Sequence, residues 1–218
     1  MKLGIFVTAT DTGIGKTIVS SLLLSSLRSY SIRAGYFKPI QTGLELDTAR
    51  VAELTGMPED KFPAPAYSFP EPLAPSRAAQ IHDQCIQIDS ILEQWKGLDD
   101  RAWIVEGVGG LMVPLNPKNT VLDLVHAMGL KVLLVASTRL GTINHTLLTA
   151  HAAKAAGVSI AGIILVGEED PGLDSLLVEF TGVPVLGRIP FLSELSPSQI
   201  QEKGSQYFPF VALRALFD

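Results

Sequence analysis

A chain of 218 residues with 47% apolar side chains is long enough to bury a substantial core and falls within the size of one domain. Its formal net charge of −5 provides no basic surface, which argues against nucleic acid and anionic membranes as partners. The only cysteine, Cys85, excludes a disulfide within the chain and a cysteine-rich metal site, so we expect a buried or incidental thiol. No apolar run reaches the roughly 18 residues of a spanning helix. We therefore expect a cytoplasmic protein whose residues 1–218 form a single domain.

Short apolar runs rich in β-formers alternate along the chain with longer helical patterns. The first run is shorter than the apolar part of a signal peptide, which favours a buried first strand. Runs that are apolar on both faces, such as residues 132–135, are typical of a parallel sheet covered by helices on each side. The predicted strands cover residues 3–8, 34–37, 102–105, 131–136, 160–166 and 183–188.

The helical patterns between these runs predict a first helix over residues 16–29 and a second over residues 142–156, which Gly157 would cap. Residues 58–75 carry six of the 14 prolines, a density that excludes a regular helix or a central strand there. We expect an ordered surface excursion. A short helix is predicted near the end of the chain, over residues 210–216.

The segment from Thr10 to Thr17, with the sequence TDTGIGKT, lies between the first strand and the first helix, as a phosphate-binding loop requires. Backbone N–H groups of such a loop converge on phosphate oxygens, the lysine reaches the terminal phosphates and the hydroxyl after it binds Mg²⁺. The usual pattern begins with glycine, but Thr10 stands at that position, so the loop is a variant. The context still favours nucleotide binding over an ordinary turn.

Three further candidate residues lie at the ends of predicted strands or at the start of a predicted helix. Lys38 follows the second strand, where open α/β sheets bind ligands, although a solvated lysine is the alternative. Asp47 opens a helical stretch and, judged alone, would cap it. Glu106 ends an apolar strand and precedes a glycine-rich segment, so its carboxylate is a candidate Mg²⁺ ligand. The four histidines share no ligand spacing, which argues against zinc.

These residues belong to a series of ordered motifs by which the chain resembles, over nearly its whole length, the dethiobiotin synthetases, ATP-dependent cyclo-ligases of biotin synthesis. The motifs are Val7-Thr8 through Lys16-Thr17, Lys38-Pro39 with Thr42-Gly43, Asp47, Val105-Glu106-Gly107 with Gly109-Gly110, Leu140-Gly141 with Ile143-Asn144-His145, and Gly187 with Ile189-Pro190. The resemblance implies a mostly parallel sheet of about seven strands, of the P-loop NTPase type, and a homodimer. It also implies that 7,8-diaminononanoate, CO₂ or bicarbonate and ATP react, with Mg²⁺, through a carbamate and a carbamic-phosphoric anhydride to dethiobiotin, ADP and phosphate.

The same resemblance implies the roles of individual residues. Lys38, Lys16 and Thr12 would be catalytic, and Thr17, Asp47 and Glu106 would hold Mg²⁺. The diamine or its carbamate would contact Thr42 and, across the dimer, Gly141, Thr142, Ile143 and Asn144. The nucleotide would contact Gly13, Ile14, Gly15, Lys16, Thr17, Asp47, Glu106, Gly107, Val108, Gly109, Val166, Gly167, Pro190, Phe191, Leu192 and Glu194.

The chain departs from the family pattern in three places. Gly13 stands where the family commonly has Glu, and Ala9 replaces a Gly, which the loop tolerates if φ is negative there. Val166-Gly167 replaces the Asn-Asp pair that reads adenine in typical members. The choice among ATP, GTP and CTP therefore stays open.

Three other functions are compatible with a phosphate loop of this kind. The main alternative is a switch ATPase like ParA or MinD, but that group carries a lysine where Asp11 stands, five residues before Lys16. An amidotransferase-type synthetase would need a longer chain. A binding module without turnover is less compatible with the retention of Lys16, Lys38 and the three candidate metal ligands.

Overall fold

The computed structural model of the protein describes residues 2–192 and 195–217. Within these residues, strands and helices alternate along most of the chain. The strands are β1 (Gly4–Ala9), β2 (Ala34–Phe37), β3 (Ile40–Thr42), β4 (Tyr67–Phe69), β5 (Ala102–Glu106), β6 (Lys131–Ser137), β7 (Ile160–Val166) and β8 (Val185–Ile189). The helices are α1 (Lys16–Ser29), α2 (Asp47–Thr55), α3 (Pro75–Ile81), α4 (Ile88–Gly97), α5 (Val121–Met128), α6 (Thr142–Ala155), α7 (Leu173–Thr181), α8 (Pro197–Tyr207) and α9 (Phe210–Phe217), and a 3₁₀ turn covers Glu59–Lys61.

Six strands form one parallel sheet in the order β2-β5-β1-β6-β7-β8. Side chains alternate between its faces, as the period of a strand requires: Phe6 packs into the core on one face, and Ile5 and Val7 pack into the core on the other. Helices α3 to α7 cover the first face, whereas α1, α2, α8 and α9 cover the second. The predicted α/β class with helices on both faces is thus confirmed.

The strand count differs from the family expectation of about seven. In the part of the chain that the structure describes, six strands form the main sheet, because β3 and β4 pair with each other in a separate parallel ribbon. Of these two strands, only β4 lies in the proline-rich region. Residues 58–74 contain only a 3₁₀ turn and β4, as predicted, and Pro75 occupies the first turn of α3, where its missing N–H costs nothing.

Most predicted bounds agree with the structure. Helix α1 and strands β2 and β7 have the predicted ends, and Gly157 follows α6 with a left-handed φ of +69°. The helix α8 was not predicted, although Ser196, Pro197 and Gln199 form a capping box with proline in the first turn, which is a helix-start signal. No helix among the described residues is long and apolar enough to cross a membrane.

The parallel arrangement decides where a ligand can bind. All six strands of the main sheet have their carboxyl ends at one edge, so the segments after β1, β2 and β5 meet there. These segments contain the phosphate loop, Lys38 and the glycine-rich stretch after Glu106. The segments after β6, β7 and β8 continue along the same edge.

Candidate nucleotide and metal site

A cleft of about 420 Å³ opens at the carboxyl ends of β1 and β5. It is lined by Thr12, Gly13, Gly15, Lys16, Thr17, Ile18, Lys38, Thr42, Asp47, Glu106, Val108 and Gly109. Its walls come from the phosphate loop, from the segments around β2 and β3 and from the glycine-rich stretch after β5. Predicted site residues that are far apart in the sequence are therefore brought together in one place.

The phosphate loop turns sharply into α1. Gly15 has a φ of +109°, which side chains rarely allow, and a Cβ there would lie 3.5 Å from Cγ1 of Val166. The first helical residue is Lys16, so the free N–H groups of the first turn of α1 face the cleft. Ala9 lies in β1 and does not have a positive φ, so the loop tolerates alanine where the family has glycine. Backbone geometry of this kind binds anions such as phosphate.

Lys38 is buried between two carboxylates. Its Nζ lies 2.6 Å from Oδ2 of Asp47 and 3.1 Å from Oε1 of Glu106, and it donates to the carbonyl oxygen of Gly107 at 2.8 Å. Burial is the largest influence and by itself would lower the pKa of Lys38. The charges of Glu106 and Asp47, together with their hydrogen bonds, outweigh burial and raise its pKa above the usual value. The two carboxylates therefore favour the charged form of Lys38, and the solvated-lysine alternative is wrong because the side chain is buried.

Lys16 is in a different electrostatic situation. Burial lowers the pKa of its ammonium group, repulsion from Lys38 acts in the same direction, and attraction to Glu106 and Asp47 offsets only part of this. Its Nζ donates to the carbonyl oxygen of Asp11 at 3.4 Å, a long hydrogen bond. A phosphate bound next to Lys16 would therefore stabilise the charged form of this lysine.

An oxygen cluster lies beside these two lysines. The hydroxyl oxygen of Thr17 lies 3.0 Å from Oδ1 of Asp47 and 3.1 Å from Oε1 of Glu106, so its one proton can be donated to either carboxylate. Ser20 donates to the other oxygen of Glu106 at 2.7 Å. A hydroxyl and two carboxylates are the oxygen donors that Mg²⁺ takes alongside water and phosphate. This cluster has only two carboxylates, and no group of three or more His, Cys, Asp and Glu residues within 2–192 and 195–217 is arranged to hold a metal.

The expectation that Asp47 caps its helix is wrong. The cap residue of α2 is Leu46, and Asp47 is the first helical residue. Gln41 performs the capping instead: its Oε1 accepts from the backbone N–H of Asp47 at 3.2 Å, and its Nε2 donates to the carbonyl oxygens of Thr42 and Glu45. Because Gln41 satisfies the backbone, the carboxylate of Asp47 remains available for Lys38 and Thr17.

Several residues from the predicted site lie outside this cleft. Val166 ends β7, and Gly167, Pro190, Phe191 and Leu192 follow β7 and β8 along the same edge of the sheet. Ile14 packs beside the core and Gly107 contributes its carbonyl group to Lys38, while neither lines the cleft. The segment 141–144 begins α6 and does not line it. Glu194 lies outside the described residues, and Cys85 is exposed, so it is not a buried thiol.

Two residues of the site were not predicted. Ser20 lies three positions after Thr17 on α1, a spacing that puts both hydroxyls on one helix face, so helical periodicity would have found it. Gln41 has no such signal in the sequence. Its role depends on the turn between β3 and α2, which only the folded chain shows.

Comparison with known proteins places the chain in a family. A family model described as an AAA domain matches residues 3–199. The ATP-dependent dethiobiotin synthetase of Bacillus licheniformis is 39% identical over 210 residues, covering 90% of this chain and 89% of that protein. Those of Nitrobacter hamburgensis and Rhodopseudomonas palustris are 40% and 37% identical and cover 93% and 95% of this chain, and 92% and 95% of their own. The chain belongs to the dethiobiotin synthetase family.

Solved structures with much lower sequence identity share the fold of this dethiobiotin synthetase family member. A ParA family ATPase from Chlorobium tepidum has a TM-score of 0.60 at 13% identity, over 99% of this chain and 96% of that one. MinD of Pyrococcus horikoshii in complex with Mg-ADP has a TM-score of 0.58 at 18% identity, over 100% and 93%. These matches show a shared P-loop NTPase architecture. The relatives that share sequence over the whole length are the synthetases.

Proposed function

We propose that this chain is an ATP-dependent dethiobiotin synthetase that closes a ureido ring on 7,8-diaminononanoate. One amine would add to CO₂ to give a carbamate, and a carbamate oxygen would displace ADP from the γ-phosphorus to give a carbamic-phosphoric anhydride. The second amine would then attack the carbamoyl carbon and release phosphate. The observation that carries the proposal is the meeting of Lys16 and Lys38 with Thr17, Asp47 and Glu106 in one cleft.

The two lysines suit a reaction between anions. A carbamate and a γ-phosphate repel each other, and negative charge spreads over the phosphoryl oxygens during transfer. Lys38, which Glu106 and Asp47 hold charged, and Lys16, at the start of α1, both line the cleft. Two fixed cations at the transferring group would lower the barrier without reorganisation of water.

The oxygen donors fit a magnesium ion. Thr17, Asp47 and Glu106 would hold Mg²⁺, and Ser20 would orient the carboxylate of Glu106 through its hydrogen bond. When bound, the ion would neutralise charge on the phosphate oxygens. The hydroxyl oxygen of Thr17 already lies within hydrogen-bond distance of both carboxylates, so little rearrangement would be needed.

The remaining lining residues would position the substrates. Backbone N–H groups of residues 13–17 would bind the phosphates. Thr12 and Thr42 line the same cleft, and their hydroxyls would orient the diamine or its carbamate. The loop after Glu106, with Val108 and Gly109, would close one wall.

We further propose that two copies of this single-domain chain assemble as a homodimer through the start of α6. Leu140, Ile143 and Leu148 are exposed apolar side chains in and before this helix. Since residues 141–144 do not line the cleft of their own chain, they would contact substrate in the partner's cleft. Their position at the carboxyl edge of the sheet, after β6, supports this role.

The test is the formation of dethiobiotin from 7,8-diaminononanoate, bicarbonate, Mg²⁺ and ATP, followed by mass spectrometry. The matched control is Lys16→Met, which keeps most of the side-chain volume but lacks the charge. Product with the unaltered chain and none with Lys16→Met is the expected result. Hydrolysis of ATP without dethiobiotin would overturn the proposal and favour a switch ATPase.

A further inference from the structure

We propose that a second cavity, between the helices on the second face of the sheet, binds a phosphate group, either as inorganic phosphate or as a phosphate monoester. This cavity of about 340 Å³ lies between the ends of α1 and α2 and the start of α8. It is lined by Ser25, Arg28, Ser29, Thr55, Pro197, Ser198 and Gln201. None of these residues lines the nucleotide cleft, so the proposal does not depend on the proposed reaction.

The second cavity is remote from the nucleotide cleft. Helix α1 contributes to both, with Thr17 in the cleft and Ser25 and Arg28 in the second cavity. Because an α-helix rises about 1.5 Å per residue, these positions lie roughly 12 to 17 Å apart along the helix axis. Phosphates held by the loop at the start of α1 would therefore not occupy the second cavity.

Ser25 places an unpaired hydroxyl at the second cavity. The residue is only 6% exposed, yet its hydroxyl has no hydrogen-bond partner among the described residues. Neighbouring serines on α1 are paired: Ser21 donates to the carbonyl oxygen of Thr17, and Ser29 donates to that of Ser26. The hydroxyl of Ser25 is not sealed off, because the fully enclosed unpaired side-chain atoms in the described part of the chain belong to other residues. It therefore opens into the cavity, where a ligand would supply the missing hydrogen bond.

Arg28 supplies the positive charge. Its Nη1 donates to the carbonyl oxygen of Thr55 at 3.3 Å, which holds the guanidinium group at the end of α2. None of the residues that line the cavity is acidic, and Arg28 forms no salt bridge with a carboxylate of the described residues. Its other N–H groups are therefore available, and a guanidinium group binds phosphate through two parallel hydrogen bonds.

The start of α8 adds a backbone donor. The capping box pairs two N–H groups, because Oε1 of Gln199 accepts from the N–H of Ser196 and Oγ of Ser196 accepts from the N–H of Gln199. Pro197 has no N–H, so the N–H of Ser198 is left without a partner among the described residues. Ser198 lines the cavity, and a free N–H at the positive end of a helix dipole favours an anion.

The carboxyl ends of α1 and α2 would disfavour an anion if their carbonyl groups were free. The carbonyl oxygens of residues 26–28 instead accept from the backbone N–H groups of residues 30–32, and that of Thr55 accepts from Arg28. The groups left for a ligand are thus donors: a guanidinium group, the hydroxyl of Ser25 and the N–H of Ser198. Donors from two helices suit the several acceptor oxygens of a tetrahedral phosphate, and the volume leaves room for an ester group.

The experiment is equilibrium dialysis of radiolabelled inorganic phosphate against the intact chain, with the cleft filled by Mg²⁺ and a non-hydrolysable ATP analogue. We expect a further phosphate to bind to each chain. Ser25→Ala should weaken its binding on the order of tenfold, because a hydrogen bond to a charged group is lost. Arg28→Gln should weaken it by at least roughly tenfold, since both the charge and the paired hydrogen bonds are lost. Without phosphate, Ser25→Ala should not lower the midpoint of thermal unfolding, because the hydroxyl that it removes is unpaired.

Matched controls are Ser90→Ala on α4 and Arg77→Gln on α3, both exposed and on the other face of the sheet, and neither should change phosphate binding. Competition by glycerol phosphate identifies the source: displacement at lower concentration than inorganic phosphate assigns a monoester, and no displacement assigns free phosphate. The absence of a further bound phosphate would overturn the proposal, and so would unchanged binding in either Ser25→Ala or Arg28→Gln. If this phosphate binds but no dethiobiotin forms, the proposed function fails and the second site stands.

Discussion

The ammonium group of Lys38 lies 3.1 Å from Oε1 of Glu106, and both side chains are almost entirely buried, with 3% and 1% exposed. The two residues are 68 positions apart in the chain. Because Asp47 also contacts Lys38 at 2.6 Å, the cation faces two carboxylates. This surplus of negative charge explains why the pKa of Lys38 is raised despite its burial, and it is the environment that the proposed Mg²⁺ site would need.

Replacing Lys38 by methionine should abolish most ring closure and destabilise the fold. We expect the rate to fall by at least roughly 100-fold, because a fixed positive charge at the transferring phosphoryl group is lost. Removing one partner of a buried pair leaves a buried charge and costs about 3–5 kcal/mol. Steady-state assays and urea unfolding monitored by circular dichroism would measure the two effects.

Lys61→Met, in the exposed 3₁₀ turn, is the control for the loss of a lysine. The double variant Lys38→Met with Glu106→Gln should recover part of the stability and none of the activity, since it removes the unpaired charge. Near-normal turnover in Lys38→Met would contradict the role assigned to this residue.

Replacing Thr17 by valine should weaken metal binding with little change in shape. The hydroxyl that contacts both Asp47 and Glu106 disappears, so we expect the Mg²⁺ concentration for half-maximal binding to rise roughly tenfold or more. Calorimetric titration of Mg²⁺ into the nucleotide complex measures this directly. Thr17→Ser retains the hydroxyl and should behave like the unaltered chain; an equal loss in both variants would point to packing.

Nucleotide affinity should fall with rising pH in a range set by Lys16. Its pKa is lowered below the usual value of 10.5, mainly by burial, and bound phosphate would raise it. Affinity is therefore constant while Lys16 is charged in the free protein and declines as pH rises through its lowered pKa, before 10.5 is reached. Equilibrium binding of ATP from pH 7 upward would reveal the decline. Lys16→Arg, which stays charged, should give a flat profile over that range; an unchanged slope would refute this assignment.

Replacing Thr8 by valine should stabilise the protein. Thr8 is fully buried in β1, and its hydroxyl has no hydrogen-bond partner among the described residues. Removing a buried hydroxyl without a partner and keeping the branched shape should raise the free energy of unfolding by about 1 kcal/mol. Thermal unfolding monitored by calorimetry would show a higher midpoint. Thr8→Ala is the comparison, because it also removes the methyl group and should lower the midpoint by leaving a cavity.

Introducing charge on the exposed face of α6 should separate the proposed dimer. The double variant Ile143→Glu with Leu148→Glu places two carboxylates among the apolar residues of this face, so we expect monomers in analytical ultracentrifugation. Ring closure should fall at least about tenfold, as positioning by the partner is lost, while ATP binding should persist. Ile81→Glu, at the exposed end of α3, is the control. Dimers that persist in the double variant would place the interface elsewhere.

The sequence by itself determined the α/β class, the bounds of the six main-sheet strands and of α1, α6 and α9 to within about two residues, and the phosphate loop. These features depend on residues that are close together in the sequence. Residues 10–17 act through consecutive backbone N–H groups, and an apolar run indicates a buried strand whatever it packs against. Residues Lys38 and Glu106 could be suspected from their positions at strand ends, where parallel sheets bind ligands.

Tertiary structure alone decided how these residues act together. The contacts of Thr17 with Asp47 and Glu106 span 30 and 89 positions, and no local pattern encodes a distance between segments so far apart. Gln41 relieves Asp47 of helix capping for the same reason, since its contact with the backbone of Asp47 depends on the turn between β3 and α2. Parallel strands bring their carboxyl ends to one edge, and the strand order then determines which side chains meet there.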